Sequence, residues 1–127
     1  MEATKLMYEA ETYAIRGAVF DVYAKMGNGF EEPIYQECME LALKDRGIEF
    51  EPQKHLPLHY GEHMLKHYYQ PDLFCYGKIV VELKACAALA EMHRAQLLNY
   101  LRLAGCRLGL LVNFGSFPKV TIERLVM

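Results

Sequence analysis

The sequence predicts an α/β fold, a mixed (α+β) β-sheet flanked by helices, and three observations predict it. Apolar stripes at helical spacing run through residues 4–26, 33–46 and 85–104, and each run stops at a glycine. Two short apolar runs, Asp72-Leu73-Phe74-Cys75 and Ile79-Val80-Val81-Glu82-Leu83-Lys84, flank Tyr76-Gly77-Lys78, which reads as a tight hairpin loop. A strand, the helix after it and a further strand at residues 108–112 imply a right-handed parallel crossover, so hairpin-linked and parallel strands share one sheet.

In chain order, Ile15, Ala18, Val19, Val22 and Met26 recur on one side of the first helix, with Glu11, Arg16 and Asp21 elsewhere on its circumference. Gly27-Asn28-Gly29 ends it, because these residues accept left-handed backbone at a helix C-terminus. The second helix starts at Glu32 or Pro33, where proline is welcome. It runs to Arg46, and Ile34, Cys38, Leu41 and Ala42 are its expected buried stripe. Residues 48–60 read as a strand interrupted by Pro52 and Pro57, Gly61-Glu62 as a turn, and residues 63–69 as the partner strand. His55, His59, His63 and His67 stand four apart, the spacing of a metal-binding stripe on a helix. Pro57 and Gly61 forbid that helix, so these histidines are expected on strands and in solvent. Residues 85–90 lead into the third helix, which ends at Ala104 before Gly105 and buries Leu97, Leu101 and Ala104. His93, Gln96 and Tyr100 form a separate stripe on it. Residues 108–112 then make a buried strand, 113–116 a loop, and 120–126 the last strand.

At 127 residues, 53% hydrophobic and 24% charged, the chain has the size and composition of one globular domain, residues 1–127. No apolar run approaches the roughly 20 residues that cross a bilayer, and the N-terminus lacks the basic-then-apolar pattern of a signal peptide. Cys38, Cys75, Cys86 and Cys106 sit among apolar neighbours without a C-x-x-C, as reduced thiols in a cytoplasmic protein would. The formal net charge is −2. A protein that holds duplex DNA by itself is usually basic, so any nucleic-acid surface here is a local patch.

The chemistry concentrates at the hairpin. A pivot on Gly77 sets Asp72 opposite Glu82 on one face, and Lys84, two residues further on, joins them. Packing gives no reason for a carboxylate and an ammonium in so apolar a strand. Two carboxylates and a lysine in one small area can hold a divalent cation through oxygen ligands, with an ammonium beside it.

Pro71-Asp72, followed ten residues later by Glu82-Leu83-Lys84, resembles the PD-(D/E)xK motif of the restriction-endonuclease-like nuclease superfamily. Gly29-Phe30-Glu31-Glu32-Pro33-Ile34-Tyr35 resembles the GxxExxY signature of one family within it. Val81-Glu82-Leu83-Lys84-Ala85, residues 93–101 and Leu110-Leu111-Val112-Asn113-Phe114-Gly115 extend the likeness over nearly the whole chain. The resemblance implies a restriction-endonuclease-like core and metal-dependent hydrolysis of phosphodiesters. Asp72 and Glu82 would ligate Mg²⁺ or Mn²⁺ with the backbone carbonyl of Leu83, and Glu32 is a further candidate ligand. Lys84 would orient or deprotonate the attacking water, and Gln96 would position water or phosphate. Tyr35, His93 and Tyr100 are supporting residues, and Arg94 and Arg102 candidate phosphate contacts. For Glu32 the plainer role is a negative charge favouring a helix N-terminus, and Pro33 biases it away from helical geometry. The implied partner is nucleic acid, DNA ahead of RNA, with no membrane. A homodimer is expected, because cutting two strands commonly uses two sites. The alternative is a non-catalytic binding or assembly module that retains the nuclease fold, which the net charge favours.

Overall fold

The computed structural model describes residues 7–127. Helix α1 spans Glu9–Met26 and α2 Glu32–Asp45. Strands β1 (Phe50–Pro52), β2 (Leu56–Tyr60), β3 (His63–Tyr69), β4 (Leu73–Cys75) and β5 (Ile79–Lys84) follow. Helix α3 (Glu91–Ala104), β6 (Leu108–Asn113) and β7 (Thr121–Val126) complete the chain. A five-stranded sheet runs in the order β1-β4-β5-β6-β7, and β2 and β3 make a separate two-stranded sheet. The fold is therefore α/β with a mixed sheet flanked by helices, as the sequence predicts. Leu73, Val81, Leu83, Leu110 and Val112 face α1 and α2 in one core layer. Phe74, Val80 and Leu111 face α3 and the β2–β3 ribbon in another. The alternation of strand side chains creates both layers.

Helix α1 buries Ile15, Ala18, Val19 and Val22 as expected. It starts later than the sequence pattern suggests. Met7 and Tyr8 form a turn, and Tyr8 takes φ 54°, which a right-handed helix cannot pass through. Residues 4–6 of the expected helix lie outside the described residues. On α2 the buried residues are Tyr35, Met39 and Leu43, while Ile34 (41% exposed) and Leu41 (57%) face solvent. The expected stripe is rotated because Tyr35, the largest side chain available, takes the core position. Its ring stacks on Phe114 with centroids 4.3 Å apart, and its hydroxyl donates to the Gly27 carbonyl at 2.6 Å.

Residues 48–60 are not one strand. β1 pairs with β4, then Gln53 takes φ 54° and turns the chain out of the main sheet, so that β2 pairs with β3 alone. All four histidines of this region are exposed. Among the described residues no three His, Cys, Asp or Glu side chains gather as a metal-ligand cluster.

The β4–β5 hairpin pairs Leu73 with Val81, Phe74 with Val80 and Cys75 with Ile79, so it pivots on Gly77. Tyr76 (φ 59°) and Gly77 (φ 67°) supply two successive left-handed residues, and the Lys78 N–H donates to the Cys75 carbonyl at 3.1 Å. α3 carries the chain over to β6, which lies parallel to β5. β6 runs one residue further than expected, through the fully buried Asn113.

Candidate active site

β4 begins at Leu73, and Asp72 stands just outside the ladder, level with Glu82. Side chains there replace strand pairing. The Asp72 N–H donates to Glu82 Oε1 at 2.9 Å, and the Leu83 N–H donates to Asp72 Oδ2 at 2.7 Å. The Asp72 carbonyl accepts from the Gln36 side-chain amide at 2.8 Å and from the Gln53 N–H at 3.3 Å. The N–H and C=O of a strand residue point to the same edge, so the Leu83 carbonyl opens toward Asp72. A cleft of about 270 Å³ is lined by Glu32, Pro33, Gln36, Gln53, Asp72 and Leu83.

The electrostatics show a site short of positive charge. Burial, and after it the charge of Asp72, pushes the Glu82 carboxyl up to about 7. Asp72 is raised as well, by burial first, with the charge of Glu32 adding to it and the Leu83 N–H opposing it. Lys84 shares the strand face of Glu82 and lowers both carboxyls through its charge. Among the described residues it forms no salt bridge. The Tyr69 hydroxyl is buried beside the Glu82 carboxylate and interacts with it without reaching full hydrogen-bond geometry, while its ring stacks on Tyr100 with centroids 4.1 Å apart and planes 2° from parallel.

Asp72, Glu82, Leu83 and Lys84 thus lie close together, and Glu32, the first residue of α2, reaches the cleft that Asp72 and Leu83 line. Pro33 lines the cleft rather than deflecting Glu32 from it. Tyr100 joins through Tyr69. Gln96 is exposed on α3, in a shallow groove with Met92, Asn99, Tyr100 and Leu103, and makes no side-chain hydrogen bond among the described residues. His93 Nδ1 accepts the Ala90 N–H at 3.0 Å and so closes the start of α3. Tyr35 is wholly buried and holds the chain between α1 and α2 by its bond to Gly27 and a longer one from the Phe30 N–H. Arg94 is already engaged: its guanidinium donates to both carboxylate oxygens of Glu123 (2.6 and 2.8 Å) and to Glu91. Arg102 donates to Asn99 at 3.3 Å.

Three residues enter that sequence reasoning missed. Gln36 stands four after Glu32, so helical spacing puts both on one face, a signal that could have found it. Tyr69 is two residues from Pro71-Asp72, but its stacking partner comes from another element. Asn113 Oδ1 accepts the Cys86 and Gly115 N–H groups (3.1 and 3.0 Å), and its Nδ2 donates to the Cys86 carbonyl at 2.9 Å. That clamp joins the loop after β5 to the end of β6.

The donor set fits a hard divalent cation. The bonds from backbone N–H groups fall on Glu82 Oε1 and Asp72 Oδ2, which leaves each carboxylate a second oxygen; the Leu83 carbonyl opens beside them, and the Tyr69 hydroxyl stands at the back of the pair. All are oxygens, the ligands Mg²⁺ and Mn²⁺ prefer.

A mixed sheet that opposes two carboxylates on neighbouring strands, adds a lysine two residues on, and is flanked by helices defines a domain of the restriction-endonuclease-like class. The family model described as the PD-(D/E)XK nuclease superfamily matches residues 9–125, and the chain belongs to that superfamily. Its members act on nucleic acid and typically use divalent metals. The fold is similar to the crystal structure of SSO0001, with a TM-score of 0.57 and 21% identity over 74% of this chain. The match spans 48% of that protein, about half its length. No curated protein matches the chain. Among the described residues no helix is long and apolar enough to cross a membrane.

Proposed function

We propose that this protein is a Mg²⁺- or Mn²⁺-dependent nuclease of the GxxExxY family that hydrolyses phosphodiesters of DNA. The observation that carries the reading is the opposed, half-buried pair Asp72 and Glu82. Drawing two like charges partly out of water is costly, as the raised carboxyls show, and a bound cation removes the cost. Asp72, Glu82 and the Leu83 carbonyl would hold the ion; Glu32 lines the cleft wall but, among the described residues, does not gather with the two carboxylates into a three-ligand cluster, so it would reach the ion through water. When bound, it would supply Lewis-acid charge at the phosphate and acidify water. Lys84, held by no salt bridge among the described residues, would orient the attacking water and meet charge developing on the phosphate. Gln96 lies one turn from Tyr100 on α3, where it can position a substrate phosphate. His93 and Tyr35 support the site indirectly, by capping α3 and by holding the approach to α2.

The family assignment rests on the three signature positions. Gly29 takes φ 110°, Glu32 lines the cleft, and Tyr35 anchors the loop through Gly27. One chain carries one such site, so a homodimer suits cleavage of both strands.

The test is calorimetric titration with Mn²⁺ alongside cleavage of single- and double-stranded DNA and RNA. Asp72→Asn and Glu82→Gln keep shape while removing charge, and each is expected to weaken Mn²⁺ binding strongly and to abolish cleavage. Unchanged Mn²⁺ affinity in both variants would sink the assignment. Binding without cleavage in the wild type would make the protein a non-catalytic module on this fold.

A further inference from the structure

The β2–β3 ribbon plays no part in the chemistry above, yet it leads straight into it. Its base is anchored by Leu56, Leu58 and Tyr69, which pack on α3. Beyond that base every residue of β3 from His63 to Tyr68 is exposed. Large apolar side chains lie open there: Tyr60 (76% exposed), Met64 (67%), Leu65 (40%) and Tyr68 (48%). Between Lys54 and Tyr68 the chain also carries two lysines and four histidines against one glutamate, Glu62, within a protein of net charge −2.

The arrangement matters more than the composition. Residues directly opposite share a face, and His59 pairs with Met64 and Tyr60 with His63. One face carries His59, Met64 and Tyr68, with Lys66 between them across the register shift of the ribbon and His55 stacked on Tyr68 at 4.0 Å. The other carries Tyr60, His63, Leu65 and His67 beyond the packed base residues Leu56 and Tyr69. Hydrogen-bonding imidazoles and apolar groups are thus interleaved on both faces. A surface that lies on a membrane concentrates its apolar residues on one face and its charges on the other. A ribbon with hydrogen-bonding groups on both faces suits a channel with phosphates along both walls.

We infer that the β2–β3 ribbon is a DNA-binding arm that enters the major groove of a duplex and delivers it to the Asp72–Glu82 site; the inference rests on the nuclease reading for its substrate. The B-form major groove admits a two-stranded ribbon, whereas the deep, narrow major groove of A-form RNA does not. Lys66 and the histidines contact phosphates from both faces, and Tyr60 and Met64 near the tip meet base edges and thymine methyls. From Tyr69 the chain needs only Gln70 and Pro71 to reach Asp72, so a duplex held on the ribbon lies next to the cleft. The arm also bears on the charge problem: in a protein of net charge −2, its segment carries two lysines against one glutamate, a local excess of the sign that phosphates attract.

The experiment measures anisotropy of a short labelled DNA duplex in EDTA over a range of salt, for the wild type and for Lys66→Glu combined with His63→Glu, one change on each face. Both positions are exposed, and a thermal melt checks the fold. A second variant, Tyr60→Ser, probes the tip without changing charge. The double variant is expected to lose roughly tenfold or more in duplex affinity, with a salt slope shallower by about 1 for the lost lysine contact. Its Mn²⁺ affinity and its hydrolysis of bis(p-nitrophenyl) phosphate, a diester too small to reach the arm, should equal the wild type's. Duplex affinity equal in wild type and double variant overturns the inference. So does light scattering that shows a wild-type dimer dissolved by these substitutions while duplex affinity survives, since the ribbon then serves a second copy. A wild type that binds duplex through the ribbon but hydrolyses no diester keeps the arm and rejects the nuclease reading. A wild type that hydrolyses the small diester while its duplex binding ignores the ribbon does the reverse.

Discussion

Lys84 sits on the face of Glu82 and, among the described residues, forms no salt bridge, so its charge acts on Asp72 and Glu82 from beyond ion-pair distance. Lys84→Ala should leave Mn²⁺ binding largely intact and the melting temperature little changed. Cleavage should fall by about 10²–10³, the typical cost of one preorganised electrostatic contact. Single-turnover cleavage beside calorimetry checks this, and a variant that unfolds would return the lysine to a structural role. At this scale the sequence was legible where a strict period governs. The twofold alternation around Gly77 placed Asp72 against Glu82, and the register agrees. It was illegible where a contact comes from another element. Gln36 reaches the Asp72 carbonyl only because α2 is rolled to bury Tyr35, and hydropathy alone ranks Ile34 and Leu41 above a tyrosine. Arg94 reads as a free cation until β7 brings Glu123 beside it.

Among the elements, the junction of β5 and β6 gives the sharpest expectation. The loop after β5 passes so close to the end of β6 that a Cβ on Gly115 would lie 2.5 Å from both the Cys86 nitrogen and the Cys86 oxygen. Those are backbone atoms, and Asn113 holds them in place. Gly115→Ala should therefore destabilise the protein by about 1–3 kcal/mol, as overpacking does. In a domain this size that lowers the melting temperature by several degrees, roughly 3–8 °C per kcal/mol. Cleavage should fall with it, because the Phe114 N–H donates to the Lys84 carbonyl at 2.9 Å and the same clamp sets the end of β5. An unchanged melt would mean that the loop moves aside freely. The existence and type of α1, α2, α3 and most strands were legible from periodicity and terminal glycines. The split of residues 48–60 was not. Its cause is the single positive φ at Gln53, a conformation that the residue type does not announce.

For the molecule as a whole, the half-buried carboxyl pair sets how stability responds to pH. Glu82 has an ordinary value of 4.5 in the unfolded chain and about 7 in the folded one. Across that window the folded state holds a proton that the unfolded state has released. Stability without metal is thus fully present below 4.5 and is lost as pH rises through about 7. The loss is of order 2–3 kcal/mol, and the raised Asp72 acts in the same direction. Urea unfolding in EDTA at pH about 5 and about 8 checks it. Glu82→Gln should flatten the trend, and saturating Mn²⁺ should restore stability at the higher pH. A metal-free protein that grows more stable over this range would contradict the site's electrostatics.

The two rims of the main sheet are unlike. β1, at one end of the order, is three residues long and closes on Pro52, which has no N–H to offer a new neighbour. β7, at the other end, is six residues long. For strand addition to the main sheet, β7 is the longer, open rim. Two main sheets joined through β7 would turn their short, proline-ended β1 borders outward. Growth of the main sheet by that route stops at a pair, whatever the separate β2–β3 ribbon does.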